Sequence, residues 1–276
     1  MLSSGLYIVA TPIGNLEDIS KRAMSVLSKA DVIACEDTRV SKKLFALLGL
    51  QTDRPFICYE DHREDKESYK IAEMILEGKS VALISDAGSP LISDPGYKLV
   101  KVCKQKNLSV YVIPGASAVI SALQISGLPT NRFMFLGFIP NKEKARCDLF
   151  EEVVNINSTL VFYETAPRLV DTLDDMAKIF GLREIAVARE ITKVFEECVN
   201  GTAEELKAHF SDKTPKGEIV VMVAPPTGET KMIDVKKELQ ARLNQMSLKD
   251  AVKEVADLSG QKKNEIYALA LELKDE

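Results

Sequence analysis

Short apolar runs rich in β-branched residues recur along most of this chain, separated by stretches whose apolar residues fall three and four positions apart. The runs at residues 6–10, 32–35, 56–58, 81–84 and 110–113 are continuous, not alternating, as expected of parallel strands buried on both faces. Between them, Ile71, Met74, Ile75 and Leu99, Val102, Cys103 mark one-sided helices. That alternation predicts an α/β fold. Pro114-Gly115 interrupts it, and a second alternating block follows with runs at 133–138, 160–163, 185–188 and 219–223. Thr202 and Glu205 have the spacing of a capping box that opens a helix.

Residues 224–229, Ala-Pro-Pro-Thr-Gly-Glu, read as a linker. Beyond them the pattern is helical only. Leu248, Ala251, Val252 and Val255 form one stripe behind a Ser247 cap, and Ile266, Leu269, Ala270 and Leu273 form another after a Ser259-Gly260 turn. The expected organisation is two α/β domains, residues 1–113 and 114–229, followed by a small helical appendage, residues 230–276. A length of 276 residues suits this, because single cores stop growing near that size.

Several function classes are disfavoured by composition. No stretch approaches twenty uncharged apolar residues, so a membrane span is not expected. The amino-terminal MLSSGLYIVATPIG has no basic region before its apolar run, which favours a first strand over a signal peptide. Five widely spaced cysteines and two distant histidines fit neither a zinc site nor a disulfide framework. The expectation is a cytoplasmic protein without a metal. Lys and Arg total 36 against 41 Asp and Glu, a net charge of −5. A non-specific nucleic-acid binder has the opposite balance, so any such role must use a local patch. Candidates are Arg39, Lys42, Lys43, Arg132, Lys142, Lys144 and Arg146, which a homodimer would pool in a shared groove.

Gly78-Lys79-Ser80 resembles the end of a phosphate-binding loop, but Glu73 stands where that motif needs its first glycine. No G-x-G-x-x-G follows the first run; Thr11-Pro12-Ile13-Gly14-Asn15 does, and proline offers no N–H to a pyrophosphate. The segment 85–96, SDAGSPLISDPG, follows a buried strand with small, turn-forming and acidic residues. A ligand loop and a long surface turn explain it equally well on its own. Pro114-Gly115-Ala116-Ser117-Ala118 places small residues at a helix start, whose N–H groups suit a carboxylate or phosphate, or else it is a plain linker.

Taken together, TPIGNLEDIS, ACEDTR, ALISDAGSPLISDPG, VIPGASA, LVFYETAPRL, ARE-ITK-VFEE and KGE closely resemble one branch of the tetrapyrrole-methylase superfamily. That branch methylates a cytidine ribose 2′-oxygen in bacterial small-subunit ribosomal RNA. The resemblance runs from Leu6 to about Val223. It implies two α/β domains with S-adenosylmethionine in the cleft between them, no metal, and 16S ribosomal RNA or the small ribosomal subunit as partner. It also implies a homodimer. By the same resemblance Pro12 and Ile13 border the donor, and Ala87, Gly88, Ser89 and Ile92 form its glycine-rich loop. Ser117 and Ala118 begin the interdomain helix, Glu164 follows the Leu-Val-Phe-Tyr strand, and Ala188 and Thr192 close the far side.

Glu36, Arg39 and His62 all follow runs of the first block, and parallel strands present their carboxyl ends together. They are the candidate catalytic residues. His62 would accept a proton, Glu36 would orient it or act as base, and Arg39 would hold a phosphate. Structural pairing of Arg39 with its acidic neighbours is the competing reading. Two other functions stay open: a tetrapyrrole, small-molecule or protein methylase of the same fold, and a non-catalytic RNA-binding module. Lys262-Lys263, before the last stripe, are the expected phosphate contacts of the appendage.

Overall fold

The computed structural model describes residues 2–211, 217–226, 235–243, 246–259 and 263–275. They fall into two compact units, Met1–Val154 with Ser158–Ala224, and Pro225–Glu276 with Asn155–Asn157.

The larger unit holds two five-stranded sheets. The first contains β1 (Gly5–Val9), β2 (Val32–Cys35), β3 (Phe56–Cys58), β4 (Ser80–Ile84) and β5 (Val110–Ile113), in the order β3-β2-β4-β1-β5 and parallel throughout. Its connections are α1 (Lys21–Lys29), α2 (Thr38–Leu47), α3 (Glu64–Leu76) and α4 (Tyr97–Gln105). One face packs Tyr7, Val9, Ile33 and Cys35 against Val26, Leu27 and Phe45 of α1 and α2. The other packs Leu6, Val32, Ala34 and Val81 against Ile71, Ile75, Leu99 and Cys103 of α3 and α4. Helices on both faces are why the central runs are unbroken in sequence.

The outer strands depart from that expectation. Tyr111 and Val112 of β5 are 39% and 64% exposed, because β5 is the sheet's edge. Gly78 ends the turn after α3 at φ 93°, a helix stop and not a phosphate loop.

The chain leaves β1 toward β2 and leaves β4 toward β5, in opposite directions across the sheet. A crevice therefore opens between the carboxyl ends of these two neighbours.

After α5 (Ala118–Ile125) the second sheet forms from β6 (Phe133–Phe138), β7 (Thr159–Thr165), β8 (Ile185–Arg189), β9 (Glu197–Gly201) and β10 (Glu218–Val223). The helices α6 (Glu143–Val153), α7 (Leu169–Phe180) and α8 (Ala203–Ser211) accompany it. The order is β6-β7-β10-β8-β9; only β6 and β7 run parallel, and β10 is antiparallel to both its neighbours. Thr202 Oγ1 accepts from the Glu205 N–H at 3.3 Å while the Glu205 carboxylate accepts from Thr202 N at 2.8 Å, the reciprocal cap at the start of α8.

Arg146 departs from the expected basic track. It is 6% exposed, and its Nε donates to Asp175 Oδ2 of α7 at 2.7 Å, so it binds α6 to α7 instead of facing solvent.

The second unit contains α9 (Val235–Leu243), α10 (Leu248–Ser259) and α11 (Lys263–Asp275). Leu239, Val252, Val255, Ala256, Ile266 and Ala270 form its core, and both expected stripes contribute. Ser247 caps α10 by accepting from Asp250 N at 3.2 Å. Gly260, Lys262, the side chain of Lys263 and linker residues 227–229 lie outside the described residues.

Candidate functional site

The crevice is built by two loops stitched together. Thr11, just after β1, donates its N–H to Gly88 O at 2.8 Å, and Gly88 N returns a bond to Thr11 O at 3.1 Å. The hydroxyl of buried Thr11 reaches Ser85 O at 3.3 Å. Ser89 Oγ donates to Ala116 O at 3.1 Å, tying the same loop to the approach to α5. At the loop's far end Gly96 N donates to Oε1 of buried Glu64 at 2.7 Å. Between these anchors Leu91 and Ser93 hold φ values of 72° and 67°, a left-handed backbone that persists only where the surroundings fix it. The loop after β1 also meets the turn after β8. Asn15 N donates to Thr192 Oγ1 at 3.2 Å, and a Cβ on Gly14 would lie 2.7 Å from the Lys193 side chain.

A cavity of about 670 Å³ lies at the carboxyl end of the first sheet, against the second. That is within the usual range for small-molecule sites. The first sheet supplies Ile13, residues 86–89, Ile92, Ser93 and Asp94, and α5 supplies Ser117 and Ala118. The second sheet supplies Phe138, residues 163–167, Ile191 and residues 217–220. Of the expected donor-site residues, Ile13, Ala87, Gly88, Ser89, Ile92, Ser117, Ala118 and Glu164 line this space. Pro12 and Ala188 do not; both are buried, and Ala188 belongs to the same apolar core as Ile13 and Ala122. Thr192 also stands off the lining and holds the Asn15 loop.

The cavity has one sign of charge. Asp86, Asp94, Glu164 and Glu218 line it, and no Lys, Arg or His does among the described residues. Burial, then the charges of Asp94 and Glu218, push the Tyr163 phenol up to about 12. Burial likewise raises the Asp86 carboxyl from its ordinary value, with the charge of Asp37 adding repulsion. Glu164 is held by hydrogen bonds and an ion pair. It accepts from Thr165 N and Thr172 Oγ1, both at 2.6 Å, and pairs with Arg168. Arg168 in turn donates to Ile139 O at 3.1 Å, pinning the turn after β6 to this wall.

The three catalytic candidates lie outside the lining. Arg39 is exposed, and its guanidinium holds Asp37, with Nη2 to Oδ2 at 2.7 Å. Hydrogen bonds from Arg39 bring the Asp37 carboxyl down to about 2. Glu36 is half-buried between β2 and α2, and exposed His62 sits in a single 3-10 turn, Asp61–Arg63, before α3. The link from this cluster to the cavity is Asp37 N, which donates to Asp86 Oδ1 at 3.3 Å. Asp86, Asp94 and Tyr163 lie inside sequence motifs that do not by themselves mark these three as site residues. Phe138, Ile219 and Val220 reach the cavity from strand positions that carry no such signal.

Residues 5–207 match the family described as Tetrapyrrole (Corrin/Porphyrin) Methylases. The chain belongs to this family. Residues 232–274 of this methylase match the RsmI C-terminal HTH domain. It is 43% identical to ribosomal RNA small subunit methyltransferase I of Rickettsia prowazekii over 269 residues, covering 97% of this chain and 94% of the relative. The proteins of the same name from Pasteurella multocida and Erythrobacter litoralis are 42% and 48% identical, with 98% and 99% of this chain covered and 98% and 96% of those relatives. Among solved structures, the methyltransferase CobJ superposes with a TM-score of 0.60 at 15% identity, over 81% of this chain and 95% of that one. Diphthine synthase superposes at 0.62 and 16% identity, over 79% and 89%. At that identity the structures share the fold alone.

Proposed function

We propose that this methylase transfers a methyl group from S-adenosylmethionine to a cytidine ribose 2′-hydroxyl in 16S ribosomal RNA, in the decoding region of the small subunit. The observation that carries the donor assignment is the charge of the cavity: four carboxylates and no cation among its described lining residues, with Glu164 and Glu218 paired from outside the lining by Arg168 and Lys193 and with Asp86 in no ion pair among the described residues. A sulfonium and an ammonium suit that field, whereas a phosphate-bearing cofactor does not. Ser117 makes no side-chain cap to α5, so the helix's first N–H groups remain to receive a carboxylate beside Ser117 and Ala118. The RNA acceptor is supported by the names of the near-full-length relatives, and an unpaired loop suits it because its 2′-hydroxyls can be reached.

The donor supplies an electrophilic methyl. The protein's part is to hold the hydroxyl in line with it and to take the proton, so that the oxygen–carbon bond forms as the carbon–sulfur bond breaks. Glu36 and His62 are the proposed proton acceptors at the ends of β2 and β3, and Arg39 the holder of the neighbouring phosphate. The experiment transfers labelled methyl from the donor to small subunits and to 16S RNA, with parent, Glu36→Gln, Arg39→Ala and His62→Ala. Donor affinity should stay near that of the parent, while single-turnover transfer falls about a hundredfold or more in at least one variant. Parent rates in all three would remove the cluster from the chemistry, and no transfer by the parent would remove the function.

The proposed assembly is a homodimer. β5 and β6 are the outer strands of their sheets, and Tyr111, Val112, Phe133 and Met134 on them are exposed, with Ile120 of the intervening α5. Unpaired edges with apolar side chains favour a partner. A monomeric mass in sedimentation at micromolar concentration would overturn this.

A further inference from the structure

The two faces of the first sheet carry charge differently. On one, α3 contributes Glu64, Asp65, Glu67 and Glu73, which answer three of the lysines there: Lys98 pairs with Asp65 at 2.9 Å, Lys106 with Glu73 at 2.8 Å and Lys70 with Glu67 at 3.2 Å, so that Lys66, Lys101 and Lys104 stand beside four carboxylates. On the other, α1 carries Lys21, Arg22 and Lys29, α2 carries Arg39, Lys42 and Lys43, and neither helix has a single Asp or Glu. Both helices turn Val26, Leu27 and Phe45 into one core and leave Lys21, Arg22, Lys29, Arg39, Lys42 and Lys43 exposed. No described carboxylate pairs with Lys42 or Lys43. The basic face also starts at the cavity's lip, because Asp37, the cap of α2, is the residue whose N–H holds Asp86.

We infer that the exposed face of α1 and α2 is the track along which the acceptor RNA's phosphate backbone runs toward the cavity, with Lys42 and Lys43 as phosphate contacts. The inference rests on the RNA-methylation reading above and adds where the substrate lies. Charge complementarity selects the occupant. In a chain of net charge −5 these two helices carry six basic residues and no acid, and the cap of α2 bonds to Asp86 at the cavity. Arg39, already clamped on Asp37, carries less of the attraction than the two lysines.

The test compares Lys42→Gln/Lys43→Gln with Lys101→Gln/Lys104→Gln, the latter pair exposed on α4 over the opposite face. Each is titrated with naked 16S RNA and with intact small subunits over a range of salt, after calorimetry shows parent donor affinity. The α2 pair should weaken RNA binding about tenfold and flatten the plot of log affinity against log salt by about 1 to 2 units. The α4 pair should do neither. Parent affinity and slope in the α2 variant, or equal losses in both variants, would overturn the track while leaving methyl transfer by the parent intact. So would a loss confined to intact subunits with naked RNA unaffected, since that would mark a ribosomal protein as the occupant. Absence of RNA binding and transfer in the parent would instead overturn the function itself.

Discussion

Gly88→Val should give a folded protein that no longer binds the methyl donor. Gly88 holds φ +78°, and its N–H and C=O are both committed to Thr11, so the loop cannot slide to accommodate a side chain. A Cβ there would lie 3.2 Å from Ile13 Cγ2, and the γ-methyls of valine extend further into the same space. Ile13 and Gly88 both line the cavity, so either the new side chain or a displaced Ile13 fills it. A β-branched residue in left-handed backbone costs about 1–2 kcal/mol, which the two buried sheet cores can absorb. Donor affinity should fall by about a hundredfold or more, roughly 2.7 kcal/mol. Gly88→Ala, which meets Ile13 with one methyl only, should lie between. Calorimetric titration beside a thermal melt separates the two effects. A folded valine variant that binds the donor like the parent would remove this loop from the donor site.

That the loop could be found in sequence at all follows from its chemistry. Twelve small, turn-forming and acidic residues after an apolar run advertise a backbone that must bend without bulk, and SDAGSPLISDPG does so within one segment. The opposite wall gives no such sign. Phe138, Ile219 and Val220 are ordinary strand residues, and only the tertiary placement of β6 and β10 brings them to the cavity. The same limit governs the strands. Continuous apolar runs report burial on two faces, and they marked β2 and β4 with β10 alike. They carry no information about direction, so the antiparallel setting of β10 was illegible. β9, Glu-Cys-Val-Asn-Gly, pairs on one side only and needs no apolar run, which is why its sequence resembles a loop. Glu36, Arg39 and His62 were legible as strand-end residues, but their distance from the cavity lining depends on how far each loop travels after its strand.

Arg146→Ala should lower the unfolding free energy by about 3–5 kcal/mol, because a buried ion pair that loses one member strands the other. In sequence Arg146 is one cation among several after Pro140; in the fold it is buried against Asp175, 29 residues on, whose side chain is 3% exposed. Lys178 still reaches Asp175 Oδ1 at 2.9 Å, which places the expected loss toward the lower end of that range. Lys178 and Lys207 also share Asp174, at 2.9 and 2.5 Å, so the variant loosens one end of a chain of charges joining α6, α7 and α8. Burial works to raise the Asp175 carboxyl, but the hydrogen bonds from Lys178 and Arg146 outweigh it and the net shift is downward. A carboxyl held below its unfolded value stabilises the fold above the ordinary aspartate range, about pH 4, and that contribution fades as pH falls through its folded value. The variant lacks much of this depression. The stability gap between parent and variant should therefore be full at neutral pH and should narrow below about pH 4. Replacing both partners with apolar residues, Arg146→Met with Asp175→Leu, should recover most of the loss, since neither charge then remains buried alone. Denaturant titrations of the three proteins at neutral and acidic pH supply the comparison. A loss under about 1 kcal/mol in Arg146→Ala, or a gap that widens on acidification, would show that Asp175 is satisfied without Arg146 and that α6 is held to α7 by its apolar contacts, Phe150 against Phe180 foremost.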